Sequence, residues 1–156
     1  MKLRGEDLTE VRKAALAHLN EFDISTTLVV TLQKGLNDDE LGEIIDFALS
    51  QPCVRGVTLQ PIQSAGRLME FDPAKDRLTL AEVRQKVLAQ SQVFSPDDII
   101  PVPCHPDCIA MAYALKTGGR VVPLSGFIGK ELLLSGAKNT IQYERDPVVK
   151  DKIFKL

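Results

Sequence analysis

Ile24-Ser25-Thr26-Thr27-Leu28-Val29-Val30-Thr31-Leu32 is the stretch that decides the fold. It is rich in β-branched residues and almost continuously apolar toward its end, as expected of a strand buried on both faces. Gly35 breaks it. Asn37 and Glu40 then have the spacing of a capping box, and Leu41, Ile44, Ile45, Ala48 and Leu49 repeat at i, i+3, i+4, i+7, which predicts a helix ending before Pro52. Residues 54–62 form a second strand candidate, and Ser64-Ala65-Gly66 a turn beyond it. Strand, crossover helix and strand make a right-handed βαβ unit, so the fold class is α/β. Ligands in parallel sheets gather at the carboxyl ends of the strands, which puts Thr31, Gln33, Gln60, Gln63 and Ser64 near any site.

Working outward, Asp7 and Glu10 have capping-box spacing before a helix running to about Asn20. Its expected inner face is Val11, Ala14, Ala15, His18 and Leu19, with His18 as a packing residue. Toward the carboxyl end, Phe71-Asp72-Pro73 reads as a loop. Thr79 and Glu82 open a third helix carrying Val83, Val87 and Leu88 and ending near Gln92. Prolines extend residues 99–103. Pro106 suits the first position of a helix through the apolar run 109–115, with Gly118-Gly119 ending it. The segment 150–156 is lysine-rich and reads as a frayed end.

At 156 residues, 44% hydrophobic and 26% charged, the chain supports one core. A net charge of -2 with interspersed signs argues against a nucleic-acid footprint. The apolar runs fall far short of the roughly 20 residues that span a bilayer, so no transmembrane segment is expected. The amino terminus turns charged at once, unlike a secretory signal, and the expected compartment is cytoplasmic.

Of three cysteines, two flank a histidine in Cys104-His105-Pro106-Asp107-Cys108. With Pro106 opening a helix, Cys108 falls in its first turn and Cys104 just ahead, so both thiols face the positive helix end. That end favours the thiolate, the metal-binding form, and an anionic iron-sulfur cluster; His105 is a candidate third ligand. The other reading is equally open: small buried residues in a proline-rich turn, because C-x₃-C is not a complete ligand set. Cys53 starts a strand and reads as a core residue. The second candidate site is the loop from Gln60 through Ser64 to Arg67. Here a strand delivers an amide, a hydroxyl and a guanidinium that suit a polar cofactor, the competing reading being that Arg67 is simply solvated.

Four segments together carry a resemblance: Leu3-Arg4-Gly5; Leu28 through Lys34-Gly35-Leu36-Asn37-Asp38; Gly56-Val57-Thr58-Leu59-Gln60-Pro61 with Gly66-Arg67; and Pro103-Cys104-His105-Pro106-Asp107-Cys108. In this order, through about Phe127, the chain resembles the later half of radical S-adenosylmethionine (SAM) iron-sulfur enzymes of the tetraether lipid synthase type. The resemblance implies that residues 1–67 are the last β/α units of a partial (β/α)₆ TIM-like barrel. Residues 68–156 would be an α+β carboxy-terminal extension bearing the Cys-His-Pro-Asp-Cys loop. It further implies that SAM lies across the strand ends near Thr31, Gln60, Ser64 and Arg67. Cys104, His105 and Cys108 would hold an auxiliary iron-sulfur or mononuclear metal center or line a substrate channel. The parent enzyme would use a 4Fe–4S cluster to make a 5′-deoxyadenosyl radical for C–H activation, with an apolar or lipid-like substrate.

The departure is that the cluster motif C-x₃-C-x₂-C is missing, and Cys53, Cys104 and Cys108 have the wrong spacing to replace it. The implied partner is therefore the amino-terminal half of the barrel, and the chain is expected to be inactive alone. Two other readings stand beside this one: a stand-alone metal-binding or interaction module on a relic half-barrel, and a small-molecule-binding α/β domain without metal.

Overall fold

The computed structural model of the chain describes residues 5–62, 71–102, 105, 107–117, 119–129, 131–133 and 151. Helix α1 (Thr9–Glu21) leads into strand β1 (Thr26–Leu32), helix α2 (Leu41–Ser50) and strand β2 (Val54–Pro61). The strands pair in parallel, Val29 opposite Thr58, Thr31 opposite Gln60 and Leu32 opposite Pro61. The expected βαβ unit is thus present. A short helix α3 (Pro73–Asp76), capped by Asp72, precedes helix α4 (Leu80–Gln90). Two antiparallel pairs follow: β3 (Ile100–Pro101) with β4 (Ala110–Met111), and β5 (Ala114–Thr117) with β6 (Arg120–Pro123). The architecture is mixed α/β with two-stranded sheets, and the described residues form no closed barrel.

One face of the β1–β2 sheet is covered. Leu28 and Val57 pack with Leu16 and Leu19 of α1 and with Ala48 of α2, around the fully buried Cys53. Val30, Leu32 and Leu59 pack with Leu41 and Ile45 of α2 and with Val83 and Val87 of α4. The opposite face carries Thr27, Val29, Thr31, Gly56, Thr58 and Gln60, and there Val29 is 59% exposed. This corrects the expectation of a strand buried on both faces: residues 26–30 alternate between half-buried and exposed. Threonine and valine favour strands because their branched side chains, stiff at χ1, fit a pleated and only half-buried surface, so a β-branched run does not by itself distinguish a covered face from an open one.

Four further expectations are corrected. On α1, Val11 is 68% exposed and His18 faces solvent beside Glu21; Leu16 and Leu19 do the packing. Helix α2 has Glu40 at its N-cap position with no side-chain capping bond, so Asn37 and Glu40 form no capping box. Asn37 instead accepts from the Gln33 N–H at 2.9 Å and donates to the Thr31 carbonyl at 3.0 Å. Finally, no helix follows Pro106. The apolar run divides into β4 and β5, and Thr117 pairs with Arg120 across a two-residue turn in which Gly119 has φ +79°. Two glycines between apolar segments are a hairpin signal as much as a helix stop, and a run of seven is too short for its periodicity to decide.

Candidate functional site

The carboxyl ends of β1 and β2 bring two of the expected site residues together. Thr31 and Gln60 are direct register partners on the open sheet face, Thr31 half-buried and Gln60 exposed. Immediately beyond Thr31, the loop 33–38 is held in a fixed form. Asn37 bridges the strand end as described, and the Asp38 carboxylate accepts from the Gly35 N–H at 2.8 Å, with Gly35 at φ +71°. A side chain larger than hydrogen is disfavoured in that left-handed conformation.

Helix α4 reaches this loop with a polar stripe. Lys34 donates to Glu82 at 2.6 Å, Lys86 pairs with Asp38 at 2.9 Å, and the Gln90 side-chain oxygen accepts from the Leu41 N–H at 2.7 Å. The Lys34 ammonium, with the Thr79 backbone and hydroxyl behind it, holds the Glu82 carboxyl down to about 2. The hydrogen bond from Lys86, and then the Gly35 N–H, lowers Asp38 against the opposing effect of its burial. Both groups are therefore ionised at neutral pH. The sequence marks Glu82 as a capping residue of α4 beside its apolar positions, and leaves Lys86 and Gln90 unassigned. The available signal was three polar residues at i, i+4 and i+8, which share one helix face.

A cavity of about 310 Å³ lies on the other side of β2, lined by Leu59, Pro61, Phe71, Arg77, Asp107 and Cys108 among others. It takes in neither Thr31 nor Gln60, because Leu59 and Pro61 alternate with Gln60 along the strand. His105 and Cys108 sit in a turn closed by Cys108 N–H and Ile109 N–H bonds to the His105 carbonyl, and both side chains are exposed. They are not at a helix N-terminus, so the helix-dipole argument for a thiolate at Cys108 does not apply here. Ser64, Arg67 and Cys104 lie outside the described residues. Among the described residues, no group of three or more His, Cys, Asp or Glu side chains is placed to hold a metal ion. Nor is any described helix long and apolar enough to cross a membrane.

Fold and strand-end geometry together define an α/β chain with one open, polar sheet face. No family model matches it. It is 27% identical over 165 residues to the 7,8-dihydro-6-hydroxymethylpterin dimethyltransferase of Methanocaldococcus jannaschii, covering 89% of this chain. The chain spans 32% of that relative's length. The similarity is consistent with the radical SAM relation that the motifs implied, and the matched protein is a pterin dimethyltransferase, not a tetraether lipid synthase.

Proposed function

We propose that this chain is the carboxy-terminal part of a radical SAM enzyme of transferase type, in which β1 and β2 are the last strands of a partial (β/α)₆ barrel. The observation that carries the reading is the extent of the similarity: nearly all of this chain, and about a third of a longer methyltransferase. The open face supports it. Parallel strands are normally covered on both sides, and a two-stranded sheet is marginal on its own. Here the uncovered side carries three threonines, a glycine, a glutamine and the exposed Val29, a mixed face that suits the interior of a ligand-holding barrel. Of the large exposed apolar residues, Val11, Phe22 and Ile24 lie on α1 and in the turn into β1, where a preceding strand and helix would pack, while Phe47, Ile62, Ile109 and Phe127 lie elsewhere.

In this reading the division falls at residue 67, with 68–156 as an extension, and Thr31, Gln60, Ser64 and Arg67 border SAM. Bound there together with a cluster held elsewhere in the parent enzyme, SAM would supply radical chemistry for C–H activation. This chain's own part is to bind and orient. Thr31 and Gln60 present a hydroxyl and an amide at the strand ends, and the braced loop 33–38 closes the rim. The substrate is an apolar or planar organic molecule accepting a one-carbon group, and Cys104, His105 and Cys108 contribute ligands to an auxiliary metal center.

The coding frame upstream of the Met1 codon tests this. An in-frame or adjacent reading frame encoding C-x₃-C-x₂-C and further strand-helix units is expected. A stop with no such gene nearby would contradict the reading and favour a stand-alone module. For the metal ligands, anaerobic reconstitution with iron and sulfide should load the wild-type chain more than a Cys104→Ala, Cys108→Ala variant; equal loading removes that assignment.

A further inference from the structure

We propose that Glu82, Lys86 and Gln90 are positioning residues for the carboxyl end of β1, so that helix α4, remote in sequence, sets the shape of the strand-end loop. The functional consequence rests on the reading of the Thr31/Gln60 face given above; the latch itself does not.

Residues four apart on a helix lie on one side, so these three form a single row. Each grips a different part of the segment 34–42. Glu82 holds Lys34 at 2.6 Å, and Lys86 holds Asp38 at 2.9 Å. Gln90 uses both ends of its amide: the oxygen accepts from Leu41 N–H at 2.7 Å and Gly42 N–H at 3.3 Å, and the nitrogen donates to the Asp38 carbonyl at 3.0 Å. Helix α2 makes no side-chain cap of its own, so Gln90 caps it from another helix. The helices meet closely enough that a Cβ on Gly42 would stand 2.3 Å from the Gln90 carbonyl oxygen, which makes glycine a requirement of the contact.

From this row the constraint passes inward through bonds already described. Lys86 fixes Asp38, Asp38 fixes Gly35, and the same loop carries Asn37, which bridges Gln33 and the Thr31 carbonyl. Thr31 therefore ends its strand in a geometry that α4 maintains. A ligand that requires that geometry binds more weakly when the row is broken, and by linkage it tightens the row when bound.

Amide hydrogen exchange read by NMR on this chain tests the latch. Gln90→Leu keeps the size and loses both polar ends. It should speed exchange at Leu41 and Gly42 by about tenfold, the scale of one lost hydrogen bond at a part-buried group, while the β5–β6 hairpin amides stay unchanged. Gln90→Glu, which retains the acceptor, should restore protection at Leu41 and Gly42. Lys86→Gln, read at the Gly35 amide, gives a second test if the first variant does not fold. Unchanged exchange at residues 35–42, or an equal rise in the hairpin, overturns the proposal. In the parent enzyme, SAM titration should show Gln90→Leu binding at least about fivefold more weakly, with Gln90→Glu recovering most of the loss. A parent that binds SAM equally with and without the latch overturns its positioning role. A wild-type parent that binds no SAM overturns the functional reading, while the exchange data still decide the latch.

Discussion

Asp38 is 5% exposed and remains ionised because Lys86 and the Gly35 N–H face it. Replacing Lys86 with methionine keeps the stem and removes the charge, so Asp38 must either protonate or stay unpaired. The expected cost is about 1–3 kcal/mol in urea unfolding, the range for a part-buried group left unsatisfied. Both Asp38 and Glu82 have folded-state values below their ordinary ones. The stability they contribute is therefore present above their unfolded values and lost as pH falls through the folded ones. For Glu82 that window runs from 4.5 down to about 2. A Lys34→Met, Lys86→Met double variant should flatten the urea midpoint between pH 5 and pH 2, relative to wild type; an unchanged slope would show that these pairs do not couple to folding. At this scale the sequence exposed half of the arrangement. The Lys34-Gly35-Leu36-Asn37-Asp38 turn was visible, but its partners lie on a helix about fifty positions away, and a long-range pairing of common charged residues leaves no local pattern.

Helices and strands were legible where local chemistry and tertiary packing agree. The Thr79/Glu82 capping box is formed reciprocally, with Glu82 N–H bonding the Thr79 hydroxyl at 3.2 Å and Thr79 N–H the Glu82 carboxylate at 2.8 Å. Thr79→Ala should cost about 1 kcal/mol of stability, measured by thermal or urea unfolding. The start of α2 was misassigned because its cap comes from Gln90, a tertiary solution that no local spacing reveals. Gly42→Ala should separate α2 from α4 and destabilise the chain by about 1–3 kcal/mol, although alanine is the better helix former. A stabilised Gly42→Ala variant would contradict the close approach. The helix expected after Pro106 gave way to a hairpin because Gly119, at φ +79°, permits a tight reversal and Thr117 and Arg120 pair across it. With that helix absent, the expected helix-end environment of Cys108 is absent too.

For the whole molecule, the decisive feature is asymmetry: helices cover one sheet face and leave the other open. Val29 is a surface residue in this chain but becomes an interior one if further strands close over it. Val29→Lys should therefore change the stability of the isolated chain by less than about 0.5 kcal/mol, while abolishing association with the upstream barrel units in a pull-down or by analytical ultracentrifugation. A variant that still associates would place the proposed further strands elsewhere. The strand-end positions of Thr31 and Gln60 were legible, but the open face was not: which side of the sheet stays uncovered depends on where α1, α2 and α4 pack, and that lies beyond local sequence patterns. The most direct measurement of the central claim is anaerobic formation of 5′-deoxyadenosine from SAM, with dithionite as reductant, by the iron- and sulfide-reconstituted upstream gene product with and without this chain. The account predicts product only when both are present, and a marked fall with Gln60→Leu. Product at the same rate without this chain, or none with both, would contradict it.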